Sequence, residues 1–427
     1  MKIQGQYINL NEIAKTIASG KALIFSAGQF FHYEEGVYKA VSDYQIKALI
    51  KEKLGDLNTI RSNEEVLRAL QIDVFKRPDE LNFTKTLLLN LKNKMLNITD
   101  MTLSDHDPQY FSTIQFDVKY DLNSSCPVFK KTVLEWLENE EKVNLLQEFL
   151  GYCLTRDTRQ EKILFLIGSG ANGKSTLLFV IESILGKENC CAIPLEKLSD
   201  KFSLAQLLGK AVNIASETPS KSFLCDEKLK AIVSGDLVQA EKKFQSPFSF
   251  RPFAKFIVAC NEIPRTEDKT NALYRRLLIL RFGKSYGEGE QDRELKHKLI
   301  VEKDGIFLWM LEGLQRLRER GHFIESKESV DEVTTYRKEN NTLLTFVDEE
   351  CDLSEQGVTS KDLFHKRYSA WCVESGHIPL NKNMIRKSLK QYYDIGENLV
   401  GPSESRTRVW TGISLKSVQS VQTFSHQ

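Results

Sequence analysis

The run from Ile163 to Thr176 constrains the fold more than any other part of this chain. Five apolar residues lead into the glycine-rich pattern G-S-G-A-N-G-K-S-T and then into an amphipathic helix. A strand, a tight glycine loop and a helix N-terminus in this order cradle phosphates, with the lysine on the β- and γ-phosphate oxygens and the serine on Mg²⁺. The pattern therefore predicts a site for ATP and Mg²⁺. The predicted nucleotide-binding residues are Gly168, Ser169, Gly170, Ala171, Asn172, Gly173, Lys174, Ser175 and Thr176.

The organisation of the chain follows from where this pattern changes. Between residues 162 and 282, buried strands alternate with helical stretches, which predicts an α/β core with a mostly parallel sheet. The candidate strands are 163–167, 211–216, 255–259 and 277–282. The predicted divisions are an α+β lead-in domain at 1–150, the core at 151–300, a helical connector at 301–350, a helix–helix–hairpin unit at 351–416 and a disordered tail at 417–427.

Composition limits the classes of protein that remain. The chain has 427 residues, and its 59 basic and 58 acidic residues leave a net charge of +1, so a nucleic-acid surface must come from local clustering. Eight cysteines occur without a C-x-x-C pair, which argues against zinc ribbons and indicates reduced thiols. No apolar run suits a membrane span and no signal peptide is evident, so we expect a cytoplasmic protein without a membrane partner.

Polar residues at the ends of later strands are candidates for hydrolysis. Glu217 directly follows the second candidate strand, where a carboxylate can orient the attacking water. Many such sites have an aspartate before the glutamate, but this chain has Ser216, so we expect Mg²⁺ contact through Ser175, Glu217 and water. Asn261 ends the third strand and can hydrogen-bond the γ-phosphate or the water beside it.

Basic residues flank that third strand on both sides. Lys242 and Lys243 lie at a predicted hairpin tip, where they can follow a phosphate backbone while Phe244 stacks or wedges against a base. Arg275 and Arg276 precede the last strand, and one of them could reach the γ-phosphate of a neighbouring subunit in a ring. The sequence leaves open which lysine grips DNA and which arginine acts.

Together, these motifs resemble the superfamily 3 helicases, in the branch shared by phage and plasmid primase-helicases and poxvirus primase-helicase. The shared patterns are G-x-G-x-N-G-K-S-T at 168–176, A-S-E at 215–217, S-G-D at 234–236, P-F-x-F-R-P at 247–252, A-x-N at 259–261 and Y-R-R at 274–276. The resemblance implies Lys174 and Ser175 on phosphate and Mg²⁺, Glu217 on water, Lys242 or Lys243 on DNA, Asn261 as sensor and Arg275 or Arg276 as finger. Glu241 departs from the pattern, since the family usually has a basic residue there, and this weakens the charge of the hairpin.

The resemblance covers nearly the whole chain. It implies an α/β fold with a P-loop, AAA+-like ATPase core, an α+β N-terminal domain and a C-terminal winged helix. Between residues 356 and 427 the chain has ten basic and five acidic residues. The basic side chains expected on DNA are Lys382, Arg386, Lys387, Arg406 and Arg408. A solvated helix face or a protein-docking module would also carry such charges.

The function implied by the resemblance is an ATP-dependent, ring-forming DNA helicase. We expect a homo-hexamer or heptamer that moves 3′→5′ on single-stranded and forked DNA during phage, plasmid or related replication. Apart from a superficial metal pattern at 105–107, no primase or polymerase site is evident, so we expect that module in cis in a longer protein or in trans. The alternatives are a P-loop initiator or loader that remodels DNA without processive unwinding, and an assembly protein that uses nucleotide only to build its ring.

Overall fold

The computed structural model describes residues 9–20, 22–82, 87–216, 226–243, 246–266, 271–287, 289–402 and 406–416, and the backbone of 2–3 and 6–7. Its internal contacts divide the chain into two compact units, unit 1 (residues 1–333) and unit 2 (residues 334–427). Within the described ranges, no helix is both long and apolar enough to cross a membrane. The tail predicted at 417–427 lies outside the described residues.

Unit 1 contains most of the secondary structure. Its helices are α1 (Leu10–Gly20), α2 (Asp43–Leu54), α3 (Ile60–Asp73), α4 (Pro127–Leu137), α5 (Glu140–Tyr152), α6 (Lys174–Leu185), α7 (Lys201–Leu204), α8 (Asp226–Val233), α9 (Asn271–Tyr274), α10 (Leu295–Val301), α11 (Lys303–Arg320) and α12 (Lys327–Glu339), which continues past residue 333. Its strands are β1 (Lys2–Ile3), β2 (Gln6–Tyr7), β3 (Leu23–Ser26), β4 (Gln29–Glu34), β5 (Val37–Val41), β6 (Leu88–Asn90), β7 (Met95–Asn97), β8 (Thr102–Ser104), β9 (Ile163–Ile167), β10 (Cys190–Cys191), β11 (Val212–Ser216), β12 (Val238–Ala240), β13 (Phe248–Phe250), β14 (Lys255–Cys260) and β15 (Leu277–Arg281).

The first part of unit 1 is an antiparallel sheet, β3-β4-β5, with its own helices. Tight turns at 27–28 and 35–36 connect these strands, and both residues of each turn have positive φ, as type I′ hairpins require. Ser42 caps α2 through a reciprocal pair of hydrogen bonds with Gln45, which fixes where the helix begins. Apolar faces of α1, α2 and α3 then pack with β3 and β4 into a separate small core.

The acidic pattern at 105–107 does not form a metal site. Asp105 pairs with Lys94 at 2.5 Å, and His106 Nε2 lies 2.8 Å from the carbonyl oxygen of Leu91. Asp107 caps a short 3₁₀ helix. Within the described part of the chain, no three His, Cys, Asp or Glu side chains are grouped to hold a metal ion.

The centre of unit 1 is a parallel five-stranded sheet in the order β10-β11-β14-β9-β15. This confirms the predicted mostly parallel sheet, and β9, β11, β14 and β15 match the four candidate strands to within a residue at each end. Every residue of β9 and β14 is buried, because helices and loops cover both faces of the sheet. Strand β14 lies between β9 and β11, so the ends of these three strands are adjacent at one edge, the carboxyl edge of the sheet.

Behind the sheet, α5 packs along α11, the helix predicted from the pattern at 305–320. The side chain of Glu148 on α5 is 3% exposed and pairs with Arg316 at 3.0 Å and with Arg320. A buried carboxylate is stable when cations and hydrogen bonds compensate its lost hydration, as they do here. This pairing fixes the relative position of the two helices.

Unit 2 has its own core and sheet. Its elements after α12 are α13 (Thr342–Glu350), β16 (Cys351–Ser360), α14 (Lys361–Glu374), α15 (Lys382–Tyr393), β17 (Gly396–Val400) and β18 (Thr407–Leu415). The sheet is antiparallel in the order β16-β18-β17. In the core of unit 2, the ring of Phe346 packs edge-to-face on the rings of Phe364 and Tyr368. This arrangement stabilises aromatic cores beyond simple burial.

Candidate nucleotide site and nucleic-acid contacts

At two positions of the phosphate loop, residues 168–173, a side chain would collide with neighbouring atoms, and Gly173 also has a backbone angle that favours glycine. Gly173 is the N-cap of α6 with φ of +92°, and a Cβ there would lie 2.3 Å from Trp136 Cε2. A Cβ on Gly168 would lie 2.0 Å from Asn172 Nδ2. Real Cβ atoms do not approach other atoms this closely, because the van der Waals repulsion is too large. The loop is therefore packed tightly around the side-chain amide of Asn172 and against the Trp136 indole.

Lys174, the first residue of α6, is buried inside this loop. Its Nζ donates to Gly168 O at 2.6 Å and to Asn172 Oδ1 at 2.9 Å. Burial lowers the pKa of Lys174, because no carboxylate of the described residues compensates the lost hydration of its ammonium. Asn172 Nδ2 is buried and has no hydrogen-bond partner among the described residues. A compensating anion at the loop would meet both an under-neutralised cation and an unused donor, so these residues fit a phosphate.

A cleft of about 1650 Å³ opens in front of the loop. Residues 170–176 line it, whereas Gly168 and Ser169 of the predicted set do not. Ser175 is exposed in the first turn of α6, where its hydroxyl and the unpaired helix N–H groups face the same region. Seven of the nine predicted nucleotide-binding residues thus share one cavity.

The ends of neighbouring strands complete the wall of this cleft. Ser216 ends β11 and Asn261 follows β14, and both residues line the cavity. Strand β11 is two strands away from β9, a separation of about 10 Å. Strand β14 lies between them, so Asn261 is adjacent to the phosphate loop at this edge. Glu217, the residue after Ser216, lies outside the described residues, so its predicted role stays a prediction.

Sequence reasoning missed the floor of the cleft. Trp136 and Glu135 come from α4, and Glu135 accepts a hydrogen bond from Tyr286 Oη at 3.1 Å. The backbone N–H of Tyr286 in turn donates to Ala171 O at 2.9 Å, and Ser285 Oγ donates to Gly170 O at 3.4 Å. These contacts join segments far apart in the chain, and no local pattern around them signals a nucleotide site.

The two arginines differ sharply in environment. Arg276 has a side chain 8% exposed and is held by Glu161 at 2.7 Å and by Ser234 Oγ at 2.9 Å. Arg275 is 59% exposed and shares Glu161 at 3.2 Å. Both precede β15, which runs parallel to β9, so they lie at the edge of the sheet opposite the phosphate loop. The structure does not bring either arginine to the cleft of its own chain.

The hairpin lysines also differ. Strands β12 and β13 pair as predicted for a hairpin, with Lys242 and Lys243 in the connection. Lys242 is half-buried and donates to Ala27 O at 2.9 Å, and burial lowers its pKa. Lys243 is exposed. Phe244 lies outside the described residues.

The basic residues expected on DNA in unit 2 fall into two groups. Lys382 pairs with Asp362 at 2.8 Å, and Arg386 pairs with Glu397 at 2.5 Å. The other three are exposed and make no ion pair with a described residue; they are Lys387, Arg406 and Arg408. Lys361 and Lys390 also contact Glu397, and these hydrogen bonds, led by that from Lys361, lower the pKa of Glu397 to about 2.

Three domain families match the chain in succession. The family described as "D5 N terminal like" matches residues 14–138, the "Family of unknown function (DUF5906)" matches 166–276, and "Poxvirus D5 protein-like" matches 338–410. The middle match contains the phosphate loop and both arginines.

Curated relatives come from large DNA viruses. "Putative helicase L207/L206" of Acanthamoeba polyphaga mimivirus is 23% identical over 74% of this chain and 37% of that protein. "Putative helicase 184R" of Invertebrate iridescent virus 6 is 21% identical over the same shares. "Putative primase C962R" of African swine fever virus (strain Badajoz 1971 Vero-adapted) is 24% identical over 62% of this chain and 30% of that protein. The chain thus spans about a third of the length of these relatives.

A solved structure shares the fold over nearly the full length. The apo structure of the C-terminal region of NrS-1 superposes with a TM-score of 0.57 and 13% identity, covering 95% of this chain and 100% of that one. At this identity the match shows the fold alone. The ordered domain matches and the viral relatives fit a phage or viral primase-helicase.

Proposed function

We propose that the chain is the ATP-driven helicase part of a primase-helicase or primase-polymerase. The observation that carries this proposal is the opposite placement of two sets of residues on one sheet. The phosphate loop and Asn261 share a cleft at the carboxyl edge, whereas Arg275 is exposed at the other edge. Such a subunit has a nucleotide site on one side and a catalytic cation on the other, so copies arranged head to tail complete each other's sites.

Within the cleft, the residues have separate tasks. Lys174 and the N–H groups of 170–174 bind the phosphates of ATP, and Asn261 contacts the terminal phosphate or the water beside it. Glu217 orients that water for attack. Mg²⁺, held by Ser175, Glu217 and water, neutralises phosphate charge when it is bound. The buried unpartnered amide of Asn172 supports an anionic ligand in this loop.

We assign the arginine finger to Arg275 and a structural role to Arg276. Strand β15 has five residues, so its start lies about 16 Å from the carboxyl edge, too far for Arg275 to reach its own cleft. Arg276 is committed to Glu161 and Ser234. The finger therefore acts on a neighbouring copy in a closed homo-oligomer, a hexamer or heptamer.

DNA is gripped at two places in this proposal. In the ring, the β12–β13 hairpin projects Lys243, with Lys242 and Phe244, onto single-stranded DNA. Unit 2 has the element order of a winged helix, and it binds the fork through Lys387, Arg406 and Arg408, and through Lys382 and Arg386 when these exchange their carboxylate partners for phosphates. The motor moves 3′→5′ during replication of a phage, plasmid or related element.

Mixing two inactive variants tests the shared site. Lys174→Ala removes the phosphate contact but leaves Arg275, whereas Arg275→Ala removes the finger but leaves the cleft. Each alone should lose DNA-stimulated ATP hydrolysis, by about 10³-fold or more for the finger. A mixture of the two should regain activity, because some interfaces then combine an intact cleft with an intact finger. No recovery in mixtures that are shown to co-assemble, or full activity of Arg275→Ala alone, would contradict the proposal.

A further inference from the structure

A second large cavity in unit 1 adjoins the proposed DNA hairpin and shares only the lining residues Phe179 and Glu182 with the cleft of the proposed ATP site. It has a volume of about 1370 Å³ and lies between the β3–β5 sheet on one side and residues 205–210 with the β12–β13 hairpin on the other. We call it the basic groove. Eight basic and four acidic residues line it, whereas the whole chain has a net charge of only +1. Positive charge is therefore concentrated here, and it attracts polyanions.

Much of that charge is not neutralised by carboxylates. Five of the basic side chains make no ion pair with a described residue; they are Arg156, Lys187, Lys210, Lys242 and Arg251. Four of them bond backbone oxygens instead: Arg156 Nη1 donates to Asn82 O at 2.6 Å, Lys210 Nζ to Glu188 O at 2.5 Å, Lys242 Nζ to Ala27 O at 2.9 Å and Arg251 Nη1 to Gly235 O at 3.1 Å. A carbonyl satisfies a donor but leaves the positive charge in place.

Two observations indicate that the groove is built for an anionic ligand. Burial lowers the pKa of Arg156 and of Lys242, so the ammonium and guanidinium charges are disfavoured there until an anion compensates them. Ser26, at the end of β3, is a lining residue of the groove that is 1% exposed, and its buried hydroxyl has no hydrogen-bond partner among the described residues. Buried hydroxyls are nearly always bonded, so this one leaves an unused polar group in the wall of the groove.

The aromatic side chains and the volume of the groove indicate which kind of anion it binds. Phe31, Phe179 and Phe253 line the groove among the cations, and the Arg156 guanidinium lies 4.6 Å from the centre of the Phe253 ring. Cations together with aromatic rings suit a chain of phosphates and bases, because bases stack on aromatic and guanidinium planes. The volume exceeds the 300 to 1,000 Å³, roughly, of small-ligand pockets. A single phosphate would leave most of the groove empty.

We propose that the basic groove binds a segment of single-stranded nucleic acid several nucleotides long, which continues from the β12–β13 hairpin across the β3–β5 sheet. Lys242 lines the groove and lies in the hairpin connection, so one strand can follow both without a break. The groove adds a binding site outside the motor. It does not require ATP, and it gives the β3–β5 sheet a substrate contact of its own.

The test is binding of a fluorescent 20-nucleotide oligothymidylate to the full chain, measured by anisotropy without nucleotide over a range of salt concentrations. The variant combines Lys187→Ala and Lys210→Ala, two groove cations away from the hairpin. The matched control combines Lys51→Ala and Lys53→Ala, two exposed lysines of α2 that do not line the groove. Both variants remove two positive charges from unit 1.

Loss of two phosphate contacts should reduce the slope of log affinity against log salt by about 1.4 and weaken binding about 20-fold at 0.1 M salt. The control should match the wild type, and a 4-thiothymidine oligonucleotide should cross-link to peptides of 26–40. Equal losses in both variants, an unchanged slope, or cross-links confined to 241–252 would overturn the proposal. So would a polyglutamate peptide that binds the groove more tightly than DNA. Lys174→Ala should bind DNA normally, so this result is independent of the proposed motor.

Discussion

Replacing Gly173 by alanine tests how the phosphate loop is held. The new Cβ would lie 2.3 Å from Trp136 Cε2, and the residue would have to keep φ near +92°. Left-handed backbone in a non-glycine residue costs about 1–2 kcal/mol, and overpacking against a buried ring costs about 1–3 kcal/mol more. Gly173→Ala should therefore destabilise the loop and the start of α6 by about 2–5 kcal/mol.

Gly170→Ala is the matched control in the same loop. Gly170 has φ of +99°, but a Cβ there meets no atom within 4 Å, so only the backbone penalty of about 1–2 kcal/mol applies. Hydrogen exchange measured on peptides of 163–185 gives the local free energy of opening for each variant. Titration with a fluorescent ATP analogue shows whether the distorted loop still binds nucleotide, and we expect binding to be lost only in Gly173→Ala.

A double variant shows whether the clash with Trp136 causes the destabilisation of Gly173→Ala. If the clash is with the indole, adding Trp136→Leu to Gly173→Ala should recover about 1–3 kcal/mol relative to the sum of the two single changes. Equal destabilisation by Gly173→Ala and Gly170→Ala, or strictly additive effects in the double variant, would refute the packing of the loop on Trp136.

Three further results are expected. Burial lowers the pKa of Lys255 from 10.5 to about 8. Above about pH 8 the unfolded state therefore binds more protons than the folded state, and the thermal stability of the wild type should rise relative to that of K255M between pH 8 and 10. Parallel pH profiles of the two proteins would contradict this. Glu397→Gln removes the carboxylate shared by three cations and should tighten duplex DNA binding several-fold at low salt. Asp362→Asn releases only one cation and should have a smaller effect. Equal DNA affinities of the two variants would argue against DNA binding by this face. Lys243→Ala should reduce the stimulation of ATP hydrolysis by single-stranded DNA more than Lys242→Ala, because Lys242 is hydrogen-bonded to Ala27 O between β3 and β4. Both variants should bind ATP normally. A larger loss in Lys242→Ala would indicate that Lys242 is the residue that contacts DNA.

The central sheet could be predicted from sequence because its information is local. The strands β9, β11, β14 and β15 are short apolar runs bounded by polar residues, and burial on both faces gives them that continuous pattern. The phosphate loop is equally local in its backbone, since Gly170 and Gly173 have positive φ angles that favour glycine. The convergence of Ser216 and Asn261 at one cleft then follows from parallel strand ends.

The remaining features depend on contacts between distant segments. Nothing near Trp136 in the sequence indicates that its indole supports Gly173, because that contact depends on how α4 packs beside the sheet. Arg275 and Arg276 are adjacent and chemically identical, so only their burial in the fold separates the proposed finger from the proposed structural residue. The basic groove is likewise invisible in the sequence, since its cations come from many separate segments.

ATP-dependent strand displacement on forked duplexes with either a 3′ or a 5′ single-stranded tail tests the central claim most directly, with Lys174→Ala as the control for a contaminating helicase. We expect displacement that requires ATP, the 3′ tail and an intact Lys174. Strand displacement that persists in Lys174→Ala, or the absence of both displacement and DNA-stimulated hydrolysis in the assembled wild-type protein, would contradict it.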